Sequence, residues 1–155
     1  LVAWNMGIET VTGQKTVEKL GNRDLNQDGI IINLAIVGSS RFYDILVFED
    51  ALEDWISKHA YPDLIILGGS SGIDFLAERW AGNNFIPVAV FTEEWDVERK
   101  GLYDQGRPEA GTDLTNKILD AATHVLALPS TSSKWTPIVI NLAKKKNIPT
   151  TIYNL

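Results

Sequence analysis

The chain contains no cysteine, which excludes disulfides, thiolate metal sites and thiol catalysis and leaves the redox compartment undetermined. It has no apolar run approaching the roughly 20 residues that a membrane-spanning helix requires. Cationic side chains are in deficit, with 14 Lys and Arg against 20 Asp and Glu and a net charge of -6. Phosphate backbones are bound by an excess of positive charge, so this balance disfavours nucleic acid as a partner. It leaves open a small phosphorylated ligand, which backbone amides and one or two local cations can hold whatever the global charge. Only two histidines occur, His59 and His124, without a partner serine, cysteine or metal-ligand spacing, and neither takes a catalytic role. The opening Leu1 to Met6 lacks the basic stretch followed by an apolar one that marks a signal peptide. The expected location is cytoplasmic.

What is present is the composition of a globular domain, with 45% hydrophobic and 22% charged residues. At 155 residues there is room for one domain of ordinary size, burying roughly two-thirds of the surface of its unfolded chain. From Asn33 onward short apolar runs alternate with helical periodicity, the pattern of βαβ units around a parallel sheet. Predicted strands are Asn33 to Val37, Leu64 to Leu67, Ile86 to Phe91, Val125 to Leu128 and Ile148 to Tyr153. Between them the spacing of Ile45, Phe48, Leu52 and Trp55 predicts a helix over about Asp44 to His59. A second helix runs through Ala81, with Trp80 in the core. A third covers about Asp113 to Ala122, and a last one opens with Thr136 as N-cap and Pro137 at the first helical position. Thr92 to Gly111 reads as a long loop. The expected fold is a Rossmann-like α/β three-layer sandwich with a mainly parallel five-stranded sheet, occupying residues 32–155.

Residues 1–31 do not join this pattern and read as an N-terminal extension, poorly ordered or separately packed, with a short helix near Gln14 to Leu20. Within them Asp24-Leu25-Asn26-Gln27-Asp28-Gly29 matches the opening of a calcium loop. The twelfth position is Ala35, which supplies no carboxylate, and Asp, Asn and Gly clusters are ordinary turn formers. The segment is therefore read as a turn.

In open parallel sheets ligands bind beyond the carboxyl ends of the strands, and the unusual segments of this chain all fall there. Gly38-Ser39-Ser40-Arg41 follows the first strand, Gly68-Gly69-Ser70-Ser71-Gly72 the second, the long loop the third, and Pro129 to Thr136 the fourth. The glycines allow positive φ and close approach to the backbone, and the following helix start favours an anion. Neither the dinucleotide GxGxxG fingerprint nor a Walker A loop is present. Arg41 clamps a phosphate or pairs with a carboxylate such as Asp44. Ser71-Gly72-Ile73-Asp74 fits a Ser-x-x-Asp capping box, so Asp74 is a cap, a ligand contact or both. Trp95 stacks on a base or plugs a core edge. Loop carboxylates such as Glu94 or Glu109 are the acid or base of an enzymatic alternative.

Read in order, these segments resemble the SLOG superfamily of Rossmann-like nucleotide-binding proteins, and within it the YspA-related branch. Val37-Gly38-Ser39-Ser40-Arg41 is similar to a strand ending in Gly-Ser-Arg. Gly68 to Ala81 is similar to its Gly-Gly-x-x-Gly-x-Asp-x-x-Ala-x-x-Trp-Ala run, and Phe91 to Asp96 to the segment after its third strand. Gly106 to Gly111 looks like an Ala-Gly element preceding an Arg-Asn pair, and Ser133-Lys134-Trp135-Thr136 like a Ser-Lys-Gly-Thr turn. The chain departs from the pattern where Thr115-Asn116 replaces Arg-Asn and where Trp135 replaces glycine, a bulk that narrows or reshapes the turn. Related enzymes that cleave nucleoside monophosphates carry a glutamate where this chain has Val139, which cannot support that hydrolysis.

The resemblance implies a nucleotide or nucleotide-derived signalling ligand, ADP-ribose-like compounds included, bound with little or no turnover. It implies as contacts the residues Gly38 to Arg41, Gly68 to Gly72, Asp74, Trp95, Gly111, Asn116, Ser133, Lys134 and Thr136. The alternative is a nucleotide-processing hydrolase acting on a glycosidic or phosphate bond. No metal or tightly held cofactor is expected, and a homo-oligomer is compatible with the sequence. A single-strand DNA-handling role, known among SLOG relatives, is opposed by the acidic balance.

Overall fold

The structure, a computed structural model, describes residues 5–69, 71–91 and 108–155. Five strands, β1 (Asn33–Gly38), β2 (Leu64–Leu67), β3 (Val88–Val90), β4 (His124–Leu128) and β5 (Thr150–Ile152), form one sheet in the order β3-β2-β1-β4-β5. Every pairing is parallel; Asn33 lies opposite Leu64, and Leu34 opposite His124. Five helices accompany them: α1 (Asn5–Leu20), α2 (Ile45–Lys58), α3 (Ile73–Asn83), α4 (Pro108–Ala121) and α5 (Trp135–Lys145). The result is a Rossmann-like three-layer sandwich, and none of its helices is long and apolar enough, among the described residues, to cross a membrane.

The two cores follow from the period of two along each strand. Leu34, Ile36, Ile65, Leu67, Leu126 and Leu128 face α2 and α3, where Phe48, Leu52, Trp55, Leu76 and Trp80 meet them. The alternate residues Ala35, Val37, Leu64, Ile66, Val125 and Ala127 face α4 and α5, packing on Leu114, Ile118, Val139 and Ala143. Strands buried on both faces read as unbroken apolar runs, which explains why β1, β2 and β4 stand out in the sequence.

Chain order determines where the sheet opens. From β1 the chain moves outward through α2 to β2 and α3 to β3, on one face; on the other side of β1 lies β4, which leads through α5 to β5 on the opposite face. The crevice between β1 and β4 is therefore a topological switch point.

Several boundaries differ from the sequence expectation. α4 begins at Pro108, not near Asp113, so the expected loop ends earlier; proline suits a first helical position because its missing N–H would have no intrahelical partner. α5 begins at Trp135 with Lys134 at the cap position, which places Thr136 in the first turn, 1% exposed, and not at the cap. Pro137 is tolerated there because the first turn's amides have no partners within the helix. β3 and β5, at the sheet edges, are shorter than their apolar runs suggest. α1 is longer than the stretch 14–20, and it lies against β3: a Cβ built on Gly13 would stand 2.2 Å from the Val90 carbonyl oxygen. Val17 packs against the α4–α5 core, and the Asn33 amide donates to the Gly21 carbonyl at 2.7 Å.

The far end of the chain is tied down in a similar way. Tyr153 donates its backbone N–H to Ala127 and its hydroxyl to the Asp54 carboxylate of α2, which also pairs with Lys58 at 3.0 Å. Burial, reinforced by the Asp54 acceptor, pushes the Tyr153 phenol up to about 12. A phenol whose folded-state value lies above its ordinary value near 10 holds its proton more tightly when folded. Its contribution to stability is complete below that ordinary value and is lost as pH rises through the folded one. Chemical unfolding across this alkaline window is expected to show a steeper loss of stability in the wild type than in Tyr153→Phe; parallel curves would contradict it.

Candidate functional site

The switch point is built by backbone contact. β1 ends at Gly38, where an added Cβ would stand 2.7 Å from the Leu128 carbonyl oxygen and 2.8 Å from the Ile73 side chain. Ser39 donates its N–H to that same Leu128 oxygen at 3.1 Å and accepts the Ile73 N–H at 3.0 Å. Gly72 has φ of +66°, and a Cβ there would lie 2.2 Å from the Ser39 carbonyl oxygen. The Ser71 hydroxyl donates to the Ser40 carbonyl at 2.7 Å. Three turns, after β1, after β4 and before α3, are thus joined through main-chain groups.

Across the crevice, the turn after β4 is organised by hydroxyls. The Ser130 Oγ lies 3.3 Å from Ser39 Oγ, 3.2 Å from Ser132 Oγ and 3.2 Å from Ser133 Oγ. The Ser133 Oγ in turn accepts the Ser130 N–H at 3.0 Å. Between the two turns opens a cavity of about 550 Å³, walled by Gly38 to Arg41 on one side and Ser132 to Thr136 on the other. That volume is within the range of small-molecule sites, about 300–1,000 Å³. Arg41 and Lys134 are exposed at its wall, and no carboxylate lines it among the described residues. The positive end of the α5 dipole faces the same space, and the N-cap Lys134 makes no side-chain hydrogen bond to the helix start. Local charge here is opposite to the global charge, and the wall offers hydroxyl and amide donors to an anion.

Trp135 occupies the β2 side of the cavity. Its indole N–H donates to Thr115 Oγ1 of α4 at 2.8 Å. Its ring edge is 3.3 Å from the position a Cβ on Gly68 would take, with Ile118 at 3.5 Å and the Asp74 carboxylate at 3.7 Å from that position. Asp74 itself is buried, 2% exposed.

Of the residues expected from sequence, the structure gathers Gly38, Ser39, Ser40, Arg41, Ser133, Lys134 and Thr136 around one cavity. Gly68, Gly69, Ser71, Gly72 and Asp74 are outside its wall: Gly68 lies behind Trp135, and Gly69, with φ of +74°, is exposed. The cap of α3 falls on Gly72 and not Ser71, a correction to the capping box: the left-handed Gly72 starts the helix one residue later. Gly111 lies within the opening turns of α4, and Asn116 is half-buried further along the same helix, away from the wall. Ser70, Trp95 and Glu94 lie outside the described residues. Ser132 and Trp135 line the cavity without having been expected as contacts, although the serine-rich run after Pro129 is a visible signal for the first and the bulk of Trp135 in place of glycine is one for the second.

Two further polar clusters among the described residues are elsewhere. His59 and His124 face each other at 5.8 Å between ring centroids, beside Trp55, at the amino end of β4; burial, then the neighbouring His59, holds the His124 imidazole below its ordinary value. Four residue steps of strand, about 13 Å, separate His124 from Leu128 and the cavity. Asp24, Asp28 and Asp63 bring carboxylate oxygens within 4.8 Å of one another. Asp63 accepts the N–H groups of Asn26 and Ile32 at 2.9 and 2.8 Å, and Asp24 accepts those of Asp28 and Gly29, so these acids close a turn.

No protein-family model matches the chain, and no curated protein or solved structure is significantly similar to it.

Because the Gly72 conformation and its contact with Ser39 both exclude a side chain, Gly72→Ala is expected to destabilise the fold by at least about 2 kcal/mol. Urea unfolding measures this. A change under about 0.5 kcal/mol, the size of an ordinary surface substitution, would remove the backbone junction from the account.

Proposed function

We propose that the protein is a cytoplasmic binder of a nucleotide or nucleotide-derived signalling ligand, of the SLOG kind, acting with little or no turnover. The observation that carries this reading is the cavity at the β1–β4 switch point, where Arg41, Lys134, several hydroxyls and a helix start converge in a chain of net charge -6. A phosphate suits that wall: Arg41 offers a planar fork of donors, Lys134 a point charge, and the serine hydroxyls rotate to donate.

Turnover would need a group to move a proton or stabilise a developing cation. Among the described residues the cavity presents no carboxylate and no histidine. Val139, at the position where the related nucleoside-monophosphate-cleaving enzymes carry glutamate, is fully buried in the α5 core. These observations favour binding over the hydrolase alternative.

A ligand that binds only the folded state raises stability by about 2.7 kcal/mol when present at 100 times its dissociation constant. A thermal-shift panel of ribonucleoside monophosphates, NAD, ADP-ribose and cyclic dinucleotides is expected to give at least one stabilising ligand. Arg41→Ala is expected to weaken that ligand by roughly 1.5–3 kcal/mol, the cost of a charge-assisted hydrogen bond. Absence of any shift at millimolar concentration, or full affinity in Arg41→Ala, would contradict the proposal.

A further inference from the structure

We infer that Trp135 sets the length of ligand that the site accepts, closing the cavity towards β2 and confining the ligand to the size of a mononucleotide. This rests on the reading of the cavity as a nucleotide site. At the carboxyl edge of the sheet, β1 is flanked by β4 on one side and β2 on the other. Adjacent strands are about 4.8 Å apart, so a ligand anchored between the turns after β1 and β4 would need only one further strand spacing to reach the glycine turn after β2. The Trp135 ring lies in that path. It lines the cavity on one side and approaches Gly68 on the other, while Gly68 and Gly69 take no part in the cavity wall.

The indole is held from three directions. Its backbone is at the first residue of α5, its N–H is bonded to Thr115 Oγ1 on α4 at 2.8 Å, and the Ile118 side chain of α4 packs close to the same point above Gly68. Thr115 is itself fully buried, so the acceptor is fixed. Swinging the ring aside would break that hydrogen bond, which resists opening of the path. Gly69, the next residue of the turn after β2, has φ of +74° and is exposed, so removing the indole from beside Gly68 would open the first cavity towards a second glycine-rich turn.

The test is calorimetric titration of the full chain with AMP, GMP, CMP and UMP against NAD and ADP-ribose, in the wild type, Trp135→Gly and Thr115→Val. The wild type is expected to bind at least one monophosphate, and to bind the two longer ligands about tenfold or more weakly, the equivalent of one lost favourable contact. Trp135→Gly is expected to raise the affinity for the longer ligands relative to that for the monophosphates by at least that tenfold. Thr115→Val, which preserves the shape of the side chain and releases the indole, is expected to move in the same direction by a few-fold and carries the test independently of how well Trp135→Gly folds. Equal wild-type affinity for monophosphates and the longer ligands would overturn the inference and leave the nucleotide reading intact. So would folded variants that gain nothing for the longer ligands. Failure of the wild type and both variants to bind any of the six compounds would overturn the nucleotide reading together with the inference.

Discussion

The approach of the Gly72 backbone to the Ser39 carbonyl is the contact on which the rest of this site depends. Without a Cβ at Gly72 or Gly38, the start of α3, the end of β1 and the Leu128 carbonyl of β4 meet through main-chain hydrogen bonds. Main-chain contacts of this kind leave little slack, because each group has a fixed donor or acceptor direction and no rotamer to change. They set the turn Gly38 to Arg41 at a defined distance from the serine turn after β4, and the cavity is the space left between them. The glycines after β2 therefore contribute to the site mainly by shaping its floor: Gly72 by contact with the first turn, Gly68 by making room for an indole.

Charge then gives this space its character. An acidic chain repels polyanions at long range, an effect that falls away over a Debye length of about 8 Å at physiological salt. Within the crevice, two cations, a helix start and a cluster of hydroxyls dominate instead. On the proposed reading this combination favours a small anion that enters the crevice over a long polyanion, which the net charge of -6 repels. It also separates this end of the sheet from the other, where His59, His124 and Trp55 form an aromatic cluster about four strand residues away.

Much of this architecture was legible in the sequence, for physical reasons that differ by element. β1, β2 and β4 are buried on both faces, so their apolar runs are unbroken and their limits clear; α2 was equally clear, with Asp44 accepting the Leu46 and Val47 N–H groups as its N-cap. The edge strands β3 and β5 were overdrawn because apolar residues continue past the last ladder pairing. Helix starts were missed where a tertiary contact overrode local propensity. Thr136 resembles a cap but is buried in the first turn of α5, and Ser71 resembles a cap but donates to Ser40 in the turn after β1. Of the site, the turns at Gly38 to Arg41 and Ser133 to Thr136 could be read from glycine, serine and cation content after a strand. The bulk of Trp135 in the turn after β4 could also be read, from its place where the resembled pattern has glycine; its bond to a hydroxyl at Thr115, 20 residues away in sequence, and its approach to Gly68 could not.

On the proposed reading an anionic nucleotide sits between the turn after β1 and the start of α5. Amide chemical shifts of nitrogen-labelled protein, followed during titration with ribonucleoside monophosphates, test it residue by residue. Saturable shifts are expected at Ser39, Ser40, Arg41 and Ser132 to Thr136, with small changes at His59 and His124. Shifts centred on the histidine end of the sheet, or none at the two turns at saturating nucleotide, would contradict it.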